Sequence, residues 1–417
     1  LLNSVFADEV RVAEFYNAAT VHEWQYASTD ISLRDSYTAF PLYYRIIDRV
    51  NRVLEALPNV KATTAAQEAT KTRVKGEALF LRAFAHFELY RFYSNTADGS
   101  ALAVAYMETP SLLPVARMTV TPFFAKLNAD LVAAKALLPA TNADIFRASR
   151  HAATALQARA ALYAKDYANA ATFATEYIAA FPLASKTNFP LIWKDANNSE
   201  VAFKLSRTTT AGGRIGALYR GTSANAANIG TITWRPTQAL LNAYDQVNDV
   251  RYGAYFFDEP LLKAISSRTI HSVLINKYAG TTYGTPTELL ADAKVFRTGE
   301  MYLIRAEARA ETGDLTGATA DINTLRAARI NNYTNASFAA KGDVIDAVMS
   351  ERFKELPYEG HRFFDAKRRN LPITRLAVDA QGTALTLSSG NFRFILPIPN
   401  SEIQANPLMV QNPGYTN

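Results

Sequence analysis

Apolar residues recur at helical spacing along most of this 417-residue chain. One stripe between residues 37 and 57 ends before Pro58, which cannot continue a regular helix. The longest pattern covers residues 64–93 and places apolar side chains on two faces, which indicates a buried helix. Further helices are predicted at 121–138, 147–164, 168–180, 236–245, 298–312, 315–329 and 343–357. The sequence therefore predicts a mainly α-helical fold.

One internal repeat indicates how these helices are arranged. Sliding the chain by 148 residues lays Ala160, Asp166, Tyr167 and Ala170 over Ala308, Asp314, Leu315 and Ala318. Small residues on both sides of a tight turn let two antiparallel helices pack closely, as in tetratricopeptide units. We therefore expect irregular tetratricopeptide-like helix pairs and not a regular solenoid.

The composition changes in the middle of the chain. Residues 181–297 are rich in Gly, Pro, Thr, Asn and Ser, and strand-like pieces occur only at 201–205, 231–234 and 273–278. We expect a single domain over 1–417, with helical repeats at 37–180, this loop-rich insert at 181–297 and a helical region at 298–417. Long loops on a rigid helical scaffold are a usual place for binding residues.

The segment ERFKELPYEGHRFFDAKRRN at 351–370 combines charges with interrupted helical spacing. Pro357 ends one helix, and Gly360 tolerates the positive φ of a helix stop, so a turn and a second helix should follow. Its dense acidic and basic residues predict a buried or half-buried salt-bridge cluster. A catalytic Glu/His/Asp set is the less favoured interpretation, because nothing indicates two carboxyls in separated environments.

Five sets of motifs follow one another in a specific order. They are RVKGEALFLRAFAHF at 73–87, ARMTV at 116–120 with NADL at 128–131, AEAR at 306–309 with GD at 313–314 and INTLR at 322–326, ERFKELPYEGHRFFD at 351–365, and PIP at 397–399 with QNPGY at 411–415. In this order they resemble the SusD/RagB family of outer-membrane glycan-binding lipoproteins from Bacteroidetes. The resemblance runs from about residue 37 to the end.

The resemblance implies a SusD-like helical fold and a role in nutrient uptake. It implies that the chain binds an oligosaccharide or polysaccharide without cleaving it, and passes it to a SusC-like TonB-dependent outer-membrane transporter. The family's lipid-bearing N-terminal Cys is absent and the sequence opens with Leu1, so we expect the anchor to lie outside this sequence. The chain is also short for the family, which suggests trimmed ligand loops.

The amino-acid composition argues against cysteine chemistry, nucleic-acid binding and a membrane-spanning helix. The absence of Cys removes disulfides, thiolate nucleophiles and Cys-based zinc sites. The net charge of +6 comes from 44 basic residues scattered among 38 acidic ones, so nucleic acid is not a predicted partner. No apolar run reaches the eighteen or so residues that a membrane-spanning helix needs.

Motifs for catalysis, cofactors and metals are also missing from the sequence. No phosphate-loop, nucleophile-elbow or zinc-hydrolase spacing occurs, so we predict no enzyme activity, no cofactor and no metal. The leading alternative is a helical-repeat scaffold that binds a peptide or protein without a glycan. A glycoside hydrolase is third, because no pocketed carboxylate pair is indicated.

Glycan binding calls for exposed aromatic rings beside polar loops, because the apolar face of a pyranose stacks on a ring while amides and charges hold its hydroxyls. Two regions have this composition: the segment ahead of the first firm helix and the Gly/Asn-rich loop 220–230. The resemblance implies ligand sites in similar places. The predicted contacts are Trp24, Tyr26, Tyr219, Arg220, Asn225 and Trp234. Core packing is the competing interpretation for each aromatic residue.

Overall fold

The computed structural model describes most of the chain. The described residues are 2–12, 26–95, 99–140, 144–210, 213–220, 234–260, 272–280, 285, 287–380 and 382–416.

Helices dominate the described part of the chain. They are α1 Leu2–Phe6, α2 Phe40–Ala56, α3 Ala65–Tyr93, α4 Val120–Leu137, α5 Arg150–Tyr163, α6 Tyr167–Ala180, α7 Phe189–Ile192, α8 Ala217–Arg220, α9 Gln238–Asn242, α10 Val250–Tyr255, α11 Thr298–Glu311, α12 Leu315–Ala327, α13 Lys341–Glu355, α14 Arg362–Arg369 and α15 Asn400–Ala405. The strands are β1 Val10–Val12, β2 Val201–Leu205, β3 Trp234–Pro236, β4 Phe256–Asp258, β5 Val273–Ile275, β6 Ala293–Arg297, β7 Ile373–Thr374 and β8 Thr386–Leu387. The strands form antiparallel pairs in the combinations β1–β3, β2–β6, β4–β5 and β7–β8. The predicted mainly α fold with short strands is confirmed.

The long helix α3 begins where the sequence indicates. The Thr64 hydroxyl accepts a hydrogen bond from the Gln67 backbone, and the Gln67 side chain accepts one from the Thr64 backbone, each at 3.2 Å. This reciprocal capping box satisfies backbone groups that a helix N-terminus otherwise leaves unpaired. From Gly76 to Tyr93, two faces of α3 are buried, as predicted, and His86 is fully enclosed. Its ring bonds the Arg82 carbonyl and the Met107 backbone N–H.

The internal repeat corresponds to two helix pairs with the same turn. The first pair is α5 with α6, and the second pair is α11 with α12. Lys165 and Gly313 occupy the same position in the turn and both have positive φ, +60° and +92°. Asp166 and Asp314 follow them and each caps the next helix through its carboxylate. The predicted pairing of antiparallel helices around a tight turn is confirmed.

The chain divides into two compact units, each built from two stretches of sequence. Unit 1 contains the described residues of 1–25 and 178–389, and unit 2 contains those of 26–177 and 390–417. The single-domain organisation expected from the sequence, with its divisions at residues 181 and 298, stays a prediction.

Several of the sequence motifs meet inside unit 2. Arg82 on α3 donates to both carboxylate oxygens of Asp130 on α4, at 2.7 and 2.5 Å. Arg117 reaches the side chain of Asn412 at 2.9 Å, and both residues bond the Tyr93 carbonyl. These motif residues are distant in sequence and tie α3, α4 and the C-terminal segment together. Their role is to hold the scaffold.

The 351–370 segment forms the predicted turn and buried charge cluster in unit 1. Glu351 and Glu355 lie one helical turn apart on α13, and both side chains are fully buried. Arg251 contacts both, with its guanidinium 2.6 Å from Glu351 and 3.0 Å from Glu355. Arg297 and Arg329 also bind Glu355. Burial alone raises the pKa of the Glu355 carboxyl, but Arg329, Arg297 and Arg251 hold it well below its usual range.

Gly360 has a φ of +80°, as predicted for the turn between α13 and α14. A Cβ there would also lie 3.1 Å from the side-chain amide of Asn3. We expect Gly360→Val to lower the free energy of unfolding by about 1–3 kcal/mol, since L-residues with bulky side chains rarely adopt this conformation. Urea titration would measure the loss.

Gly342 provides a matched control, because a Cβ there meets no atom within 4 Å and its φ is not positive. Gly342→Val should change the stability by less than about 0.5 kcal/mol. Equal losses in the two variants would show that the Gly360 backbone is not the cause.

Candidate functional site

The structure describes four of the six predicted ligand residues. Trp24 and Asn225 lie outside the described residues. Arg220 is the last residue of α8. Tyr219 and Trp234 belong to unit 1, whereas Tyr26 belongs to unit 2.

The β1–β3 pair joins the anchors of the two regions selected from the sequence. Val12, the last residue of β1, lies opposite Trp234, the first residue of β3. The ladder continues past the strands, because the Thr237 backbone N–H donates to the Glu9 carbonyl at 3.2 Å, and the Thr237 hydroxyl adds a bond to the Asp8 carbonyl at 2.7 Å. Residues 13–25 therefore begin next to the point where residues 221–233 end. The described residues therefore place one end of the segment that contains Trp24 beside one end of the segment that contains Asn225.

Trp234 itself is a packing residue in the described structure. The residue is 6% exposed, and all three residues of β3 are buried. The expectation that this ring forms an exposed platform is wrong, because Trp234 is buried at the start of β3. Glycan contact by Trp234 stays a prediction that no observation tests.

Tyr219 is also enclosed, and its ring contacts Tyr278, a few residues before 281–284. Its side chain is 1% exposed, and its ring lies 6.3 Å from that of Tyr278 and 5.3 Å from that of Tyr358. The nearby Gly216 donates its backbone N–H to the Leu289 carbonyl at 3.1 Å. A Cβ on Gly216 would lie 2.3 Å from the Tyr278 carbonyl, so only glycine permits this approach. The expectation that Tyr219 is exposed is wrong, but its helix fixes the chain just ahead of residues 281–284.

Tyr26 serves as an anchor in unit 2. Its hydroxyl donates to the Arg393 carbonyl at 2.9 Å and lies 2.8 Å from the hydroxyl of Tyr415, the last residue of the QNPGY motif. Arg393 returns a hydrogen bond to the Tyr26 carbonyl. The residue is 4% exposed, so the expected exposure of Tyr26 is wrong as well. The C-terminal motif holds the chain at the residue that follows 13–25.

A buried lysine lies in the aromatic cluster of unit 1. The ammonium of Lys277 is 4.2 Å from the ring centre of Trp193 and 4.0 Å from that of Tyr255. It donates to the Pro357 carbonyl and to Glu359 at 2.8 and 2.7 Å. Burial lowers the pKa of Lys277 to about 7, while the Glu359 carboxylate opposes the shift. The sequence pattern did not predict this arrangement of rings around Lys277, because the residues that form it are far apart in sequence.

Glu9 lies near Lys277, immediately before β1. Burial raises the pKa of its carboxyl to about 7, and the neighbouring Asp8 adds to the shift. Hydrogen bonds from Ser4 and from the Tyr358 backbone N–H, the latter at 3.3 Å, oppose this rise in the pKa. The side chain is enclosed, so it cannot meet a substrate without unpacking. The buried Glu9 carboxyl therefore makes the stability of the protein depend on pH.

We expect Glu9→Gln to stabilise the protein at pH 8 and to have little effect at pH 4.5. The folded pKa is about 7 against an ordinary value of 4.5, so the stabilising contribution of protonation is complete below pH 4.5. It is lost as the pH rises through 7. Glutamine stays neutral at every pH, which yields on the order of 3 kcal/mol at pH 8, at about 1.36 kcal/mol per pKa unit.

Urea unfolding of both proteins at the two pH values would measure this difference. The exposed Glu55 provides the control, since Glu55→Gln should change stability little at either pH. A Glu9→Gln effect of the same size at pH 4.5 and pH 8 would contradict the role of the buried charge.

Unit 2 contains a separate cavity of 390 Å³ formed by α2, residues 105–115 and α15. Polar side chains at its base are already bonded to the backbone: Tyr44 donates to Ala105 and Asn51 to Met107, each at 2.9 Å. These bonds hold residues 105–107 against α2. Sequence patterns did not indicate this cavity, because its walls come from three distant segments.

Two family descriptions match this chain. The one described as "SusD family" matches residues 246–415, and "Starch-binding associating with outer membrane" matches residues 3–162. A SusD-like protein of Formosa agariphila is 24% identical over 91% of this chain and 80% of its own length. The starch-binding protein SusD of Bacteroides thetaiotaomicron is 36% identical over 30% of this chain and 22% of its own length.

Solved structures have the same fold. A SusD superfamily protein from Bacteroides thetaiotaomicron superimposes with a TM-score of 0.84 at 24% identity, covering 99% of this chain and 94% of that one. A laminarin-binding SusD-like protein gives a TM-score of 0.75 at 21% identity, covering 99% and 94%. Within the described residues, no helix has the length and apolar character needed to cross a membrane.

Proposed function

The chain belongs to the SusD/RagB family, and from this premise we propose that it binds a glycan at the outer-membrane surface without cleaving it. Relatives named as starch-binding and laminarin-binding support a carbohydrate ligand of this kind. The observation that carries the proposal is the pairing of Val12 with Trp234. It supports a binding surface made from two regions that were selected independently for their sequence composition.

The proposed ligand contacts come from these regions. Trp24 supplies a ring for stacking, and Asn225 and Arg220 supply hydrogen bonds to hydroxyl groups. Tyr219 holds α8, which leads into residues 221–233, and Trp234 holds β3, which follows them. A rigid scaffold below a binding surface keeps its contacts in place and lowers the entropy lost on binding.

The partner that we propose is a SusC-like TonB-dependent transporter, which would receive the glycan at the outer membrane. Attachment would come from a lipid anchor outside this sequence. The exposed face of α2 favours a protein contact, because Leu42, Ile46 and Val53 are 56%, 40% and 42% exposed on one side of this helix. The same face supports the alternative function, a helical-repeat scaffold that binds a protein and no glycan.

A polysaccharide array with a reducing-end assay tests the proposal. The expected result is binding to at least one neutral polysaccharide, with no release of reducing ends above a protein-free blank. Glycan binding together with release of reducing ends would show that the protein is a glycoside hydrolase and not only a binding protein. No glycan binding together with stable association with a TonB-dependent transporter would favour the scaffold.

A further inference from the structure

The cavity of unit 2 between α2, residues 105–115 and α15 is held in shape by hydrogen bonds within the protein. Tyr44 and Asn51 bond the backbone of residues 105–107, and the side-chain amide of Asn406 donates to the Val115 carbonyl at 2.8 Å. Both ends of the 105–115 segment are therefore fixed. The volume of 390 Å³ lies in the range of about 300–1,000 Å³ that is usual for ligand sites.

Apolar side chains form most of the wall of this cavity. They include Phe40, Ile47, Met107, Pro110, Leu113 and Met409. Leu113 is 77% exposed and the next residue along, Leu112, is 98% exposed. Exposed apolar side chains beside a concave surface are typical of sites that contact another protein.

One carboxylate in the cavity has no partner. Glu402 on α15 is half-buried, and its side chain forms no hydrogen bond or ion pair with the described residues. Burial raises the pKa of this carboxyl, and no neighbouring cation opposes the shift.

The other charged residues that line the cavity do not compensate Glu402. Asp48 binds Arg52 at 2.8 Å, and Arg45 is exposed and forms no ion pair with Glu402. Because charges that leave water are normally paired, the group that this cavity lacks is a cation beside Glu402.

A basic side chain suits both the apolar wall and the carboxylate. Lysine and arginine have an apolar stem that packs along hydrophobic surface and a cationic head that bonds a carboxylate. A free amine of similar size would leave Leu112 and Leu113 in water. In a protein segment, the residues on either side of the basic one can contact these leucines.

We propose that this cavity is a docking site for a protein segment that presents a lysine or arginine between apolar residues. The basic head pairs with Glu402, and the apolar neighbours contact Leu112 and Leu113. The inference does not rest on glycan binding, because no carbohydrate contributes to it.

Selection of a random peptide library on the purified protein tests this inference. We expect the enriched sequences to share one lysine or arginine flanked by apolar residues. An enriched peptide would then be compared with a copy in which norleucine replaces the basic residue, since norleucine keeps an apolar stem and removes the charge. Fluorescence anisotropy should show that the norleucine peptide binds about 10-fold or more weakly.

Three variants locate the contact. Glu402→Gln should remove the preference for the basic peptide over the norleucine peptide. Leu113→Ala should weaken both peptides about 10-fold, and the exposure of Leu113 makes a folding defect improbable as the cause. Glu55→Gln is the matched control, because Glu55 is an exposed carboxylate of the same unit outside the cavity lining. Circular dichroism and melting temperature would establish that each variant is folded.

The results that would overturn the docking site are distinct. They are a library without enriched sequences, enriched sequences that are acidic or uncharged, and a folded Glu402→Gln variant that still prefers the basic peptide. If no peptide is enriched but phenylbutylamine binds the parent and not Glu402→Gln, the cavity is a site for a small amine and the docking proposal is wrong. None of these results changes the outcome of the polysaccharide array, so the proposed function is tested separately.

Discussion

Glu355→Ala is expected to lower the free energy of unfolding by about 3–5 kcal/mol, because it removes the shared partner of three buried arginines. Arg251, Arg297 and Arg329 all contact this carboxylate, and each side chain is at most 1% exposed. Without Glu355, part of the positive charge would remain in the protein interior without compensation. Urea or thermal unfolding would measure the loss.

Two further variants test the explanation. Glu55→Ala removes an exposed carboxylate and should change stability by no more than about 0.5 kcal/mol. Glu355→Gln keeps the shape of the side chain but removes its charge, so it should lose most of the same stability. A Glu355→Gln variant as stable as the parent would show that packing, and not charge, makes this residue important.

Trp24→Ala and Trp234→Ala are expected to affect different properties. A sugar ring that covers about 60–100 Å² of the Trp24 indole would contribute roughly 1.5–2.5 kcal/mol, so its removal should weaken glycan binding about 10-fold or more. The free energy of unfolding of the Trp24→Ala variant should barely change. Trp234 is buried in the β1–β3 pair, so Trp234→Ala should lower the free energy of unfolding by about 3–5 kcal/mol.

Calorimetric titration with the glycan found on the array, together with thermal unfolding of each variant, would separate the two effects. A Trp24→Ala variant that binds like the parent would remove Trp24 from the binding surface. A Trp234→Ala variant with unchanged stability would contradict the enclosed position of that ring.

Local patterns predicted the helical part of this molecule well. The bounds of α3, α4 and the two helix pairs agree with the sequence prediction to within a few residues, because caps, prolines and apolar spacing act over one or two turns. The helix predicted at 236–245 is the shorter Gln238–Asn242, and the strand predicted at 273–278 ends at Ile275. These shorter elements have fewer turns or ladder bonds to define their ends.

The candidate site was less predictable because its determinants are distant in sequence. Nothing in the residues near Trp234 indicates that β1 pairs with it across more than 200 positions. A tryptophan or tyrosine in a polar, Gly-rich neighbourhood suits an exposed platform and a packed anchor equally well. The burial of Tyr26 depends likewise on Tyr415, at the opposite end of the chain.

Hydrogen–deuterium exchange with and without the bound glycan tests the location of the binding surface most directly. We expect slower exchange in peptides that cover residues 13–25 and 221–233, with no change in residues 351–370. Protection confined to other parts of unit 1, with none in these two segments, would contradict this expectation.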